Sequence, residues 1–367
     1  MLAGMTTTNT EPVNTEPIDG ARLEAFVGQA VTDMGAAISG LLLYIGDRLG
    51  LYKAMAGAGP VSAATLAART GTAERYVREW LGNQVAGGYV VYHPADGTFE
   101  LPAEQAMVVA NEDSPVFLAG AYETIASCYA DHGLFADAFR TGAGVGWQEH
   151  DDRLFSGVMR LFRASYGAHL VSEWLPALDG VTDKLQAGAS VADLGCGHGA
   201  STIIMAQAFG RSTFLGTDMH EPSIAAARRA AAEAGVTQRA RFEVGSAQDF
   251  RGEGFDLVCM FDCLHDMGDP VGAARRVRQA LTPDGTLLLV EPMAGDRLED
   301  NVNPVSRAFY GFSTVVCTPA SLAQEVGLGL GAQAGEARLA AVLHEAGFSR
   351  VRRAAQTPFN LILEARP

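Results

Sequence analysis

In the second half of the chain, short apolar runs alternate with longer stretches of helical period. Strand-like runs fall near residues 190–194, near 213–217, and at RFEVGS, FDLVCMF and TLLLVEP. Between them, ASTIIMAQAFG, IAAARRAAAEAG and GAARRVRQAL carry apolar residues at helical spacing. Strand and helix in strict alternation predict a parallel sheet covered by helices on both faces. Two further strand-like runs, around FSRVRRA and FNLILEA, predict an antiparallel pair at one edge.

The first half reads differently. Residues 1–20 are polar, rich in Thr, Glu, Pro and Asn, and are expected to be disordered. From Arg22 the pattern is helical, through AFVGQAVTDMGAAISGLLLYIGDRLGLYKAM. Ser62 and Thr72 then stand where helix N-caps belong, before AATLAARTG and AERYVREWLGNQVAGG. GYVVYH, the turn PADG and TFELP follow as a hairpin. Helix, turn, helix and hairpin together resemble a winged helix, with expected bounds 21–102. Residues 103–187 read as helices alone, broken most clearly at GAGVGW, and the remainder, 188–367, is the alternating domain.

The stretch VADLGCGHG, Val191–Gly199, joins the first strand of that domain to its first helix. Glycine serves where the backbone takes positive φ, or where a ligand must approach without a Cβ in the way. The next strand, STFLGTD, ends in Asp218, placed to accept hydrogen bonds from a ribose. A dinucleotide turn is spaced GxGxxG and lays a pyrophosphate on the helix N-terminus. Here the spacing is GxGxG, with Asp193 before it and no Lys or Arg nearby, so a cofactor with ribose and adenine but no phosphate is expected.

DxGxGxG followed by an acidic residue ending the next strand resembles the class I S-adenosylmethionine-dependent methyltransferases. The resemblance implies an α/β fold with a Rossmann-like sheet of seven strands, the last pair antiparallel, behind a mostly helical winged-helix domain. It implies S-adenosylmethionine as cofactor, held by Asp193, Gly195, Cys196, Gly197, Gly199, Asp218, Met219, Ser246, Ala247 and Asp262. Ser246 stands where many relatives carry an adenine-binding Asp; either Asp249 from the short helix that follows or backbone amides alone are expected to take its place. FDCLHDMGDP is similar to the LHDW-type segment of plant and polyketide O-methyltransferases, whose His is the general base; that position is His265. The same resemblance gives Glu291 and Glu336 as carboxylates orienting the base. GCGHG and TPASL…GAQAGEARL further resemble actinobacterial methyltransferases with such an N-terminal domain.

Helices between a dimerising domain and a cofactor domain make a pocket wall. Trp147, Met159, Phe162, Tyr166, His198, Phe309 and Phe312 are the expected lining of an acceptor pocket. The expected reaction is methyl transfer to a hydroxyl of a small aromatic or polyketide-like molecule. Alternatives are an N-, C- or S-acceptor, or a winged-helix regulator that senses the cofactor or a metabolite. A net charge of −15 speaks against nucleic acid as partner, whose binding rests on phosphate neutralisation. On AERYVREWL, Arg75 and Arg78 are balanced by Glu74 and Glu79, which suits a groove-reading helix poorly. The segment Ala36–Met55 is apolar nearly all round, and predicts a homodimer built by residues 21 to about 125.

No run reads as long enough to span a membrane, and the first residues lack the basic and apolar regions of a secretory signal. Cys128, Cys196, Cys259, Cys263 and Cys317 are scattered without CxxC, as in a reduced cytoplasm. No HxH or HExxH occurs, so no metal is expected. GLGLGAQAG, lacking a preceding strand, reads as a flexible pocket loop.

Overall fold

The computed structural model describes residues 17–367; the expectation for the polar N-terminus falls mostly on residues 1–16, outside that range. The first half runs α1 (Gly20–Arg48), α2 (Leu51–Met55), α3 (Ala63–Thr70), α4 (Glu74–Ala86), β1 (Val91–His93), β2 (Thr98–Glu100) and α5 (Ala103–Val109). Helices α6 (Ala119–Ala130), α7 (His132–Thr141), α8 (Arg153–His169) and α9 (Val181–Ala187) follow. The second half alternates β3 (Ser190–Leu194), α10 (Ala200–Ala208), β4 (Thr213–Asp218), α11 (Glu221–Glu233), β5 (Ala240–Val244), β6 (Phe255–Phe261), α12 (Pro270–Ala280) and β7 (Leu281–Pro292). It closes with α13 (Pro304–Phe312), α14 (Thr318–Leu322), α15 (Glu336–Glu345), β8 (Arg350–Gln356) and β9 (Asn360–Arg366).

The sheet has the order β5-β4-β3-β6-β7-β9-β8, parallel through β7 and antiparallel at β7–β9 and β9–β8. Its central strands are apolar on both sides because helices cover both faces. On one face Val191, Cys259 and Leu288 pack with Leu170, Trp174, Met205 and Ile224. On the other, Ala192, Val258 and Leu289 pack with Ala273, Val277, Leu339 and Leu343. Every strand anticipated from the pattern forms, with ends displaced by a few residues.

The winged helix has its own core around Leu66, Leu81 and an edge-on Tyr52–Trp80 pair at 5.0 Å. Ser62 caps α3 as expected, its Oγ accepting from the Thr65 N–H at 3.1 Å. Thr72 does not cap α4: Ala73 takes that position, and the Thr72 hydroxyl pairs with Thr70 at 2.8 Å instead. Helix α1 differs most from expectation. It is 29 residues long, and by length and hydropathy alone it could cross a membrane, contrary to the reading that no run could. Its C-terminal part is seated on the winged helix, where Trp80 Nε1 donates to Leu42 O at 2.9 Å.

Helix α8 ties the halves together. Gly157 lies against α6 so closely that a Cβ there would stand 2.5 Å from Thr124 Oγ1 and 2.7 Å from the Thr124 backbone nitrogen. One turn on, the Arg160 guanidinium reaches Asp47 of α1 at 2.6 and 2.9 Å and Glu123 of α6 at 2.9 Å. The same helix then presents Phe155, Met159, Phe162 and Tyr166 to a pocket at the tips of β3, β4 and β6.

Candidate active site

The glycine turn builds the pocket floor. Gly195, Gly197 and Gly199 all have positive φ, at 69°, 51° and 79°. A Cβ on Gly195 would meet Cys263 Sγ at 2.9 Å, and one on Gly199 would meet the Phe242 ring at 2.7 Å, so these two glycines are needed for packing. At Gly197 a Cβ would meet nothing within 4 Å and would project into open space, the cradle a cofactor needs. The Asp218 carboxylate accepts from the Gly197 N–H at 2.9 Å and the His220 N–H at 2.8 Å, one on each oxygen. Each oxygen keeps a free lone pair for a ribose hydroxyl. Burial pushes the Asp218 carboxyl up, and those two amides oppose it.

Asp193 lies beneath the turn, fully buried, with Oδ2 accepting from the Ser201 and Thr202 hydroxyls at 2.6 and 2.5 Å. Burial pushes its carboxyl up to about 6, and Oδ1 has no partner. The carboxylate is closed off from the pocket and braces the turn through the two hydroxyls. Gly195, Cys196, Gly197, Met219, Ser246, Ala247 and Asp262 line the pocket as expected. Asp193 and Gly199 support the turn from behind. Asp249 is not turned to the pocket; it holds Ser246 at its N–H (3.0 Å) and its hydroxyl.

Trp147, Met159, Phe162, Tyr166 and His198 line the same pocket as expected, joined by Phe155, Val158, Met267 and Phe261. Burial holds the His198 imidazole below its usual range, hence neutral. Phe309 and Phe312 do not line the pocket. Helix α13 is turned toward α1, where Arg307 pairs with Asp33 at 3.0 Å, and Ala320 and Gln324 from α14 and beyond take the place expected of the two rings. The Phe155 ring stacks on His220 at 4.0 Å and 18°, linking α8 to the strand that carries Asp218.

His265 sits in a short 3-10 turn, Leu264–Asp266, after β6. Its Nδ1 is bonded to Glu291 Oε2, and the other Glu291 oxygen accepts from the Leu264 N–H at 3.0 Å. That pairing is as the sequence implied. Glu336 is not part of it: at the start of α15 its carboxylate is held by the Arg353 guanidinium, since β8 brings that arginine alongside the helix. The second carboxylate on the imidazole is Asp266, whose Oδ1 stands 3.1 Å from Nε2. Asp266 faces the pocket while His265 is buried behind it. Burial alone would pull the imidazolium down, but Glu291 and Asp266 outweigh it and raise His265 well above its ordinary value. GLGLGAQAG, expected as a flexible pocket loop, instead backs this turn, with the Leu328 N–H donating to Gly268 O at 2.9 Å.

His265 Nε2, Asp266 Oδ1 and Cys317 Sγ lie within 4.8 Å of one another, a convergence that no sequence spacing announces. Burial pushes the Cys317 thiol up to about 12, so this set holds protons at neutral pH rather than offering a thiolate. The signal for Asp266 was present in LHD, but which neighbour of a turn residue faces a cavity has no periodicity to reveal it.

Residues 185–333 match the family model described as a methyltransferase domain, and residues 36–111 match the Rv2258c-like winged HTH domain. A trans-aconitate 2-methyltransferase of Deinococcus radiodurans is 33% identical over 157 residues, 39% of this chain and 58% of that protein. A 27-O-demethylrifamycin SV methyltransferase of Amycolatopsis mediterranei is 32% identical over 139 residues, 36% of this chain and 50% of that protein. The chain thus matches little more than half the length of these curated relatives. Human N-acetylserotonin methyltransferase, solved with S-adenosylmethionine, superposes with a TM-score of 0.67 at 17% identity, covering 96% of this chain and 99% of that one. The chain therefore carries a methyltransferase domain behind a winged helix-turn-helix domain, and its pocket has the donor set for S-adenosylmethionine.

Proposed function

We propose that this chain transfers a methyl group from S-adenosylmethionine to a hydroxyl of a small, uncharged aromatic or polyketide-like acceptor, with His265 as general base. The carrying observation is the buried Glu291–His265 pair behind a pocket whose far wall is aromatic. The cofactor supplies an electrophilic methyl on a sulfonium. Asp218 and the Gly195–Gly199 turn hold its ribose and amino-acid parts, and Trp147, Phe155, Met159 and Phe162 position an acceptor ring. Positioning of this kind contributes about 7–11 kcal/mol to a displacement. His265 Nε2 reaches the acceptor hydroxyl once the Asp266 carboxylate swings aside, and Glu291 fixes which ring nitrogen that is.

The lining includes Asp218, Asp262 and Asp266 but no Lys or Arg, a poor match for an acid such as the substrate named for the Deinococcus relative. Incubation with labelled methyl donor and a panel of phenols, amines and carboxylic acids tests this reading; phenols should gain the label and acids should not. The covering of His265 by Asp266 favours a second reading, an N- or S-acceptor that arrives already nucleophilic and needs no base. Labelled amines or thiols with unlabelled phenols would select it.

Asp218→Ala should weaken cofactor binding about tenfold or more, since charge-assisted bonds are worth about 1.5–3 kcal/mol. Unchanged affinity by calorimetry would remove Asp218 from the cofactor site.

We also infer a cytoplasmic homodimer. Val27, Val31, Met34, Ile38 and Leu41 are all exposed on α1. Their alternating spacings of four and three are the seam of two paired helices, which a second copy of α1 would fill. On α4, Arg75 pairs with Glu79 and Arg78 with Glu74, which supports assembly over DNA binding for the winged domain. Five free thiols support a reducing compartment. Sedimentation at micromolar concentration should give twice the chain mass, and Val31→Glu with Ile38→Glu should give the monomer.

A further inference from the structure

Asp262 ends β6 in a conformation that only a few residue types tolerate, with φ of 49°. Non-glycine residues in this region are uncommon, Asn and Asp least so, and they gather at functional sites. The turn points the carboxylate into the pocket, where it is half-buried. Its partners are neutral: Asn360 Nδ2 donates to Oδ1 at 3.0 Å and the Tyr166 hydroxyl donates to Oδ2 at 3.3 Å. No lysine or arginine lines the pocket. A half-buried carboxylate with two neutral donors and no cation bonded to it is costly to keep ionised.

The sheet order sets what belongs opposite it. β4, β3 and β6 are neighbours, so Asp218, the glycine turn and Asp262 form a row along one edge of the sheet. The row spans two strand spacings, about 10 Å. With the ribose at Asp218 and the cradle at Gly197, the next position along the row would fall to the charged sulfur.

We propose that Asp262 is the counter-charge of the cofactor's sulfonium, holding a proton in the free protein and releasing it to solvent when the cofactor binds. Burial, then repulsion by Glu291, pushes the free carboxyl up to about 8. Groups facing it from the packed elements are Tyr166 on α8, His265 and Asp266 after β6, and Glu291 on β7. Of these only His265 carries positive charge, and it is already shared by Glu291 and Asp266. An opposite charge within about 4–6 Å lowers a carboxyl by 1–3 units, enough to ionise Asp262 at neutral pH. The spent cofactor, S-adenosylhomocysteine, is a neutral thioether and leaves Asp262 protonated. The pocket thereby distinguishes donor from product through one proton. This inference rests on the cofactor and not on the identity of the acceptor.

Calorimetry of S-adenosylmethionine and S-adenosylhomocysteine binding, each in buffers of different ionisation enthalpy at pH 7, tests it. Both ligands carry the same amino-acid end, so the difference in proton count isolates the sulfonium. The expected excess release with S-adenosylmethionine is about half to one proton. Its Kd should fall by up to about tenfold per pH unit from pH 6 toward 8 and level off above, relative to S-adenosylhomocysteine. Asp262→Asn, which keeps the shape and tolerates the same φ, should abolish the excess. Equal proton counts for the two ligands in the unmodified protein overturn the proposal, whatever the variant does. An excess that persists in Asp262→Asn overturns it as well. If neither ligand binds, the cofactor assignment itself fails and this inference with it.

Discussion

His265→Ala should lower turnover of the true acceptor by about 10²–10⁴-fold, the usual contribution of a positioned general base. Cofactor affinity should be nearly unchanged, because His265 lies behind Asp266 and away from the Gly197–Asp218 cradle. The pH profile carries the sharper signature. Only a neutral imidazole accepts a proton, and Glu291 and Asp266 together hold His265 well above its ordinary value. The competent form therefore accumulates as pH rises, and kcat should climb from pH 7 into the alkaline range. Asp266→Asn removes one of the two carboxylates that favour the imidazolium, so the climb should begin at lower pH. Measured kcat against pH for the three proteins decides it. Near-normal turnover by His265→Ala across pH 6 to 9 would remove the base assignment and leave an acceptor that is nucleophilic on arrival.

Arg160→Met should destabilise the fold by about 3–5 kcal/mol, the cost of leaving buried charge unpaired. The arginine satisfies Asp47 and Glu123, whose side chains are 5% and 6% exposed. Ser156 Oγ also donates to Glu123, at 2.7 Å, so removal of the guanidinium leaves that carboxylate a single neutral donor. The midpoint of urea unfolding should fall accordingly. Arg160→Met with Asp47→Leu and Glu123→Leu removes both orphaned carboxylates and should recover much of the loss. A single substitution without effect on the midpoint would show that water reaches the two carboxylates.

The sheet was legible because each strand is bounded by a change of period: VADLG into a glycine turn, TFLGTD into a proline-bearing helix, TLLLVEP out of one. The Glu291–His265 pair was legible from a motif, since strand ends on neighbouring strands β6 and β7 must lie side by side. Glu336 failed for a reason of register. It opens α15, and the strand that follows returns Arg353 to it, so a local ion pair outcompetes a distant imidazole. Phe309 and Phe312 had the composition of pocket residues, but composition does not say which way a helix is turned. Asp262 and Asp266 were both readable as acids near the site. That one meets only neutral donors and the other covers a ring nitrogen is decided by tertiary neighbours, Asn360 among them, that lie far along the chain.

Helix α8 is bolted to α1 and α6 through Arg160 and the Gly157 crossing, while its other side lines the pocket. The donor cradle belongs to the sheet. In the proposed reaction the aromatic side chains of α8 would meet the acceptor together with His198, Phe261 and Met267 of the sheet domain. A chimera joining residues 1–178 of this chain to the sheet domain of a relative should therefore shift acceptor preference toward this chain's without transferring it whole, because part of the lining stays with the sheet domain.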